Sequence, residues 1–127
     1  MAFVSGASRG IGKQSAIYLA RAGFDVAIGA RTVKEGDSVD ESGRTIPGSL
    51  ETTTALIEET GRGVLPVAMD LLDRESLSLA VERVLEEWGR VDVLVNNAVH
   101  TDAGSMDLFV DLSLSTIETK LQANVIA

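Results

Sequence analysis

Three glycines, Gly6, Gly10 and Gly12, follow a short apolar run and precede a helical pattern in Val4-Ser5-Gly6-Ala7-Ser8-Arg9-Gly10-Ile11-Gly12. Their chemistry is anion recognition. Glycine lacks a Cβ, so the chain can turn through φ > 0 and bring its backbone close to a ligand. The free N–H groups and positive dipole end of the next helix then attract a pyrophosphate. The implied ligand is a dinucleotide, with Gly6, Ser8, Arg9, Gly10, Ile11 and Gly12 as candidate binding residues. The spacing G-x-x-x-G-x-G differs from the G-x-G-x-x-G fingerprint but suits the same mechanism, and a glycine-containing turn without a ligand is the alternative for the triplet alone. A triphosphate loop, G-x-x-x-x-G-K-[ST], fails at two positions. Although Gly12-Lys13 resembles its end, Ala7 replaces the first glycine and Gln14 the Mg²⁺-binding hydroxyl.

A chain of 127 residues can bury one core, so one domain is expected. A hydrophobic content of 45% with a net charge of −8 describes a soluble acidic protein, which argues against nucleic acid and anionic membrane surfaces as partners. There is no cysteine, so disulfides, thiolate metal sites and cysteine nucleophiles are excluded. No apolar run is long enough to span a bilayer and Met1 leads straight into a strand, so a cytoplasmic location is the default expectation.

The elements that must position the glycine turn alternate along the chain. Residues 2–5 read as a strand, and 11–22 as a helix with Ile11, Ala16, Leu19 and Ala20 on its small or apolar face, ended by Gly23. Val26 to Ala30 is a second strand. Thr32 to Ser49 has no apolar period and carries Gly36, Gly43, Pro47 and Gly48, the mark of a surface insertion and, directly after Arg31, of a mobile flap near the ligand's adenosine end. Leu50 to Thr60 reads as a helix closed by Gly61, and Val64 to Met69 as a third strand. Pro66 cannot donate a ladder hydrogen bond, so that strand belongs at a sheet edge. Asp73 suits the N-cap of the next helix, whose Leu77, Val81, Val84, Leu85 and Trp88 form the apolar face. Gly89 ends it, Val91 to Val95 is a fourth strand, and Leu114, Ile117, Leu121 and Val125 recur at helical spacing. Such alternation predicts an α/β doubly wound, Rossmann-like parallel sheet in the order 3-2-1-4, with a ligand crevice at the carboxyl ends of strands 1 and 4.

The glycine turn, Asp70-Leu71, Asn96-Asn97-Ala98 and Asn124-Val125 together resemble the short-chain dehydrogenase/reductase family over nearly the whole chain, in its motif order and approximate spacing. The resemblance implies that Asp70 hydrogen-bonds the adenine amino group and the Leu71 backbone faces the ring. Asn97 and Ala98 would lie along the ribose and nicotinamide side, and the Asn96 amide would tie neighbouring strands. Val99 replaces the family's glycine, a departure that bears on the local backbone because a β-branched residue is costly at φ > 0. His100 and Asp102 could serve a metal or acid–base role, but a solvated loop is the reading adopted and no metal site is expected.

An acidic residue after the second strand would bind a ribose 2′-OH, whereas a basic one accommodates a 2′-phosphate. Arg31 stands there, with Arg9 placed to help, so the expected cofactor is NADP; Asp37 or Asp40 folding back would favour NAD. The family's chemistry is hydride transfer between the nicotinamide and a small carbonyl or alcohol substrate. It uses a Tyr, a Lys four residues later, a Ser, and an Asn that helps hold a proton-relay water. Asn124 fits the Asn and is the one catalytic candidate. Tyr18 is followed by Ala22 rather than Lys and reads as a packing residue, and Ser8 and Ser15 belong to the turn and helix. The chain is therefore expected to be the cofactor-binding portion of a longer enzyme that could assemble with copies of itself, inactive and poorly soluble alone. A non-catalytic nucleotide-binding module is the alternative.

Overall fold

In the computed structural model, which describes residues 1–40, 42–101 and 107–127, the two sides of β1 (Ala2–Ser5) open into two separate cores. Alternate strand residues point to opposite faces. Val4 thus joins Val26, Ile28 and Ala30 of β2 (Val26–Ala30) against one helical layer, while Phe3 and Ala27 face the other. The first layer is α1 (Gly10–Arg21) and α2 (Leu50–Glu58), and the second is α3 (Arg74–Trp88).

The strands pair in parallel in the order β3-β2-β1-β4, as predicted, with β3 at Val64–Ala68 and β4 at Val93–Val95. Pro66 sits opposite Ile28 in the outer strand β3, where its missing N–H breaks no further ladder. β4 is shorter than predicted. Val91 packs against the Phe3 cluster ahead of the strand, and Asp92 pairs with Arg90 and the terminal amine. The Arg90 hydrogen bond is the largest cause holding the Asp92 carboxyl down at about 2.

The helices bury only part of the faces the periodicity suggested. On α1 the buried line is Gly12, Ala16, Ile17 and Ala20, small residues that let the helix lie close to the sheet, whereas Ile11 is 78% exposed over the glycine turn. Tyr18 is not a packing residue either; it lies on the outer side of α1 with Arg21 5.6 Å from its ring centroid. On α3 the line is Ala80 and Val84, with Trp88 packed beside them as expected, but Val81 and Leu85 face outward. Seating the small Ala80 against the Phe3 cluster turns the helix so that the neighbouring leucine and valine miss the sheet. None of α4 (Leu114–Leu121) is buried, and the chain passes from it into a π-helical turn, Gln122–Ile126. Among the described residues no helix is long and apolar enough to cross a membrane.

The insertion leads directly into α2 at Ser49. That residue is fully buried and N-caps α2, accepting from the Thr52 N–H at 3.0 Å in a reciprocal capping box. One turn on, the buried Thr53 hydroxyl reaches Ala7 O at 2.9 Å, with Ser49 O at 3.0 Å, and so ties α2 to the glycine turn. Replacing Thr53 with the isosteric Val removes this donor from a dry site. The expected loss is about 1–3 kcal/mol of stability, measured as a lower urea midpoint at unchanged slope.

Candidate functional site

Each of the four strands ends beside a crevice of about 370 Å³. Gly6 enters it after β1, Arg31 after β2, Asp70 and Leu71 after β3, and Asn97 and Ala98 after β4. The predicted residues Ser8, Arg9 and Ile11 also line it. This is the carboxyl edge of a parallel sheet, at the point where strand order reverses, the place such folds bind ligands.

The crevice floor is held by Ser5, a residue that the sequence reading passed over as strand. Its hydroxyl donates to Val95 O at 3.2 Å and accepts from the Asn97 and Ala98 N–H groups, both at 3.0 Å, which uses its one proton and two lone pairs. The Asn97 amide returns the link, Nδ2 donating to Ser5 O at 3.0 Å and Gly6 O at 3.3 Å. The strand-tying amide is thus Asn97 and not Asn96, which is exposed directly after β4 and bonds to neither neighbouring strand. A buried polar residue closing a strand beside a glycine was the available signal for Ser5.

This clasp explains two glycines and leaves the third open. A Cβ on Gly12 would stand 2.3 Å from Gly6 O and 2.4 Å from Asn97 Nδ2, and one on Gly6 would meet the same amide at 2.8 Å. Gly10, at φ +57°, has nothing within 4 Å of that position. The helix start beside it is equally bare. Ser49, Asp73 and Ser113 cap α2, α3 and α4 with their side chains, whereas α1 has no side-chain cap and no acidic residue in its first turn. Its N–H groups and positive dipole end are left for an anion.

The two arginines differ. Arg31 lines the crevice with no ion pair or hydrogen bond among the described residues. Arg9 instead holds the insertion, Nη2 donating to Gly48 O at 2.9 Å and Thr32 Oγ1 at 3.1 Å, and Nη1 reaching Ser38 Oγ at 3.5 Å. Asp37 and Asp40 do not fold back into the crevice. Asp37 accepts from the Lys34 N–H, and Asp40 from Ser42 and Arg44, with the Ser42 hydroxyl the main cause lowering its pKa. Asp70 keeps one oxygen on the Leu72 N–H at 3.0 Å, while Asp73 caps α3 as predicted.

Beyond β4, no non-glycine residue among those described has positive φ, so Val99 is accommodated where the family has glycine. His100 lines the crevice, and its backbone is gripped from both sides by Asn124, whose Oδ1 accepts from His100 N–H at 2.7 Å and whose Nδ2 donates to His100 O at 3.3 Å. Asn124 lies within the π-helical turn and reaches the crevice through His100. Asp102 lies outside the described residues. Among those described, no three His, Asp or Glu side chains are grouped to hold a metal.

The family described as short chain dehydrogenase matches residues 1–127, the whole chain. The chain belongs to the short-chain dehydrogenase family. Hydroxysteroid dehydrogenase-like protein 2 of Xenopus tropicalis is 41% identical over 96 residues, 76% of this chain but 21% of that protein. An alcohol dehydrogenase of Thermococcus sibiricus, solved with 5-hydroxy-NADP, aligns with a TM-score of 0.74 at 32% identity over 97% of this chain and 46% of its own. Carveol dehydrogenase of Mycobacterium avium, solved with NAD, aligns with a TM-score of 0.75 at 27% identity, over 95% of this chain and 42% of its own. The chain therefore spans less than half of these relatives.

Gly12→Ala is expected to overpack the turn against backbone that cannot yield, lowering stability by about 1–3 kcal/mol. Gln14→Ala on the exposed side of α1 should stay within about 0.5 kcal/mol. Paired urea titrations read the difference.

Proposed function

We propose that these residues form the cofactor-binding part of an NADP-preferring oxidoreductase that transfers hydride between the nicotinamide and a small carbonyl or alcohol substrate. The observation that carries the preference is Arg31, a cation on the crevice wall after β2 that has no ion pair among the described residues and no carboxylate beside it at Ala30 or Thr32. A 2′-phosphate accepts charge-assisted hydrogen bonds from such a guanidinium, whereas a 2′-hydroxyl would want an acidic partner there. The bare start of α1 suits the pyrophosphate, Gly10 giving its backbone room to approach. On this reading Asp70 and Leu71 bound the adenine, and Asn97 and Ala98 bound the ribose and nicotinamide side. The bound nicotinamide supplies or accepts the hydride.

The proton chemistry of the family needs a Tyr with a Lys four residues later, and no such pair occurs among these 127 residues. Asn124 is the one catalytic candidate present, and its grip on His100 would set the loop after β4 against the nicotinamide end. The missing pair also favours a second reading, a nucleotide-binding module without catalysis. The two part on carbonyl reduction by a longer form of the chain, since both expect these residues alone to bind cofactor without turning it over.

Titrating the chain with NADPH and with NADH, followed by cofactor fluorescence, tests the preference. A charge-assisted hydrogen bond contributes about 1.5–3 kcal/mol, so NADPH should bind roughly tenfold to a hundredfold more tightly. Arg31→Asp should abolish or invert that ratio. An unchanged ratio in the variant would contradict the assignment.

A further inference from the structure

Resting on that reading, we propose that the insertion hairpin is a wall of the 2′-phosphate end of the crevice, with Ser38 as a specificity-determining hydrogen-bond donor and the Arg9–Gly48–Glu35 clasp as the device that positions it. Among the described residues of the insertion beyond Thr32, Ser38 alone lines the crevice, which it shares with Arg31. Its backbone is fixed, because Ile46 N–H donates to Ser38 O at 2.8 Å and Val39 bridges Thr45 in antiparallel fashion. Its hydroxyl is loosely held, 3.5 Å from Arg9 Nη1, and so can turn to a phosphate oxygen.

The wall is compatible with an anion despite two carboxylates close by in sequence. Asp37 and Asp40 turn to local N–H and hydroxyl donors on the hairpin itself, and neither lines the crevice. Gly48 joins the two sides of the clasp. Gly48 gives its carbonyl to Arg9 at 2.9 Å and its N–H to the Glu35 carboxylate at 2.9 and 3.2 Å. At φ +105°, with Ser8 O 2.7 Å and Arg9 Cβ 2.9 Å from where a Cβ would stand, Gly48 admits no side chain. Arg9 is therefore a positioning residue that holds the wall, and Arg31 is the cation left for the phosphate.

The test uses Ser38→Ala and Glu35→Ala, both on the surface hairpin, with NADPH and NADH titrations and amide hydrogen exchange. Ser38→Ala should weaken NADPH roughly tenfold, the weight of one hydrogen bond to a charged group, and leave NADH within about twofold. Glu35→Ala removes a negative charge, which by Coulomb attraction alone would tighten binding of an anion. The clasp requires the opposite: several-fold weaker NADPH binding, together with faster exchange at the Asp40 and Ile46 amides. Equal effects on both cofactors in Ser38→Ala, no effect, or tighter NADPH binding with unchanged exchange in Glu35→Ala would overturn the inference. Loss of all nicotinamide binding by the unmodified chain would instead overturn the proposed function, and this inference with it.

Discussion

The site depends on one reciprocal set of hydrogen bonds, in which the Ser5 hydroxyl and the Asn97 amide sew the end of β1 to the end of β4. Partly buried donors and acceptors that lose a partner bear the full cost of desolvation, so this set enforces one register between the strand ends. It also fills the space above Gly6 and Gly12. Those glycines must therefore be glycines for packing, and once they are, α1 can begin directly over the turn with Ala16 and Ala20 against the sheet. The geometry of the glycine turn follows from the fold's own closure, with Gly10 as the position left open.

Electrostatics then separates this helix start from the rest of the chain. The protein carries a net charge of −8, a field that repels an anionic ligand at long range. Within the crevice the balance reverses, because α1 lacks a capping carboxylate and Arg31 has no partner among the described residues, while the nearby Asp37 and Asp40 are bound to their own hairpin. Local arrangement outweighs net charge at contact distances, since salt screens separated charges over about 8 Å at physiological ionic strength. The insertion belongs to this local arrangement through Arg9.

Much of this was legible in the sequence where a residue type has a single physical meaning. Pro66 cannot sit in a central strand, Asp73 ahead of a helical run is a cap, and glycines between a strand and a helix mark a turn; together they gave the sheet order and the crevice. Periodicity was less informative, because it marks a stripe without saying what covers it. Ile11 extends the stripe of α1 but overhangs the end of the sheet, and Val81 and Leu85 extend that of α3 but miss it once Ala80 is seated. Adjacent polar residues were harder still. Asn96 and Asn97 are indistinguishable by type, and only the path of the chain at the end of β4 decides which amide meets β1. Ser5 shows in the sequence only as a polar residue closing a strand beside a glycine, because its partners lie ninety or more positions away.

The central claim is that a nicotinamide dinucleotide lies across the carboxyl ends of β1 to β4 with its pyrophosphate on the start of α1. The most direct measurement is a backbone amide NMR titration of isotope-labelled protein with NADPH. The account predicts saturable shifts with one common affinity at Ser8 to Gly12, at Arg31, at Leu71 and at Ala98. Shifts confined to the outer side of α1 around Gln14 and Tyr18, with the glycine turn unmoved at saturation, would contradict it.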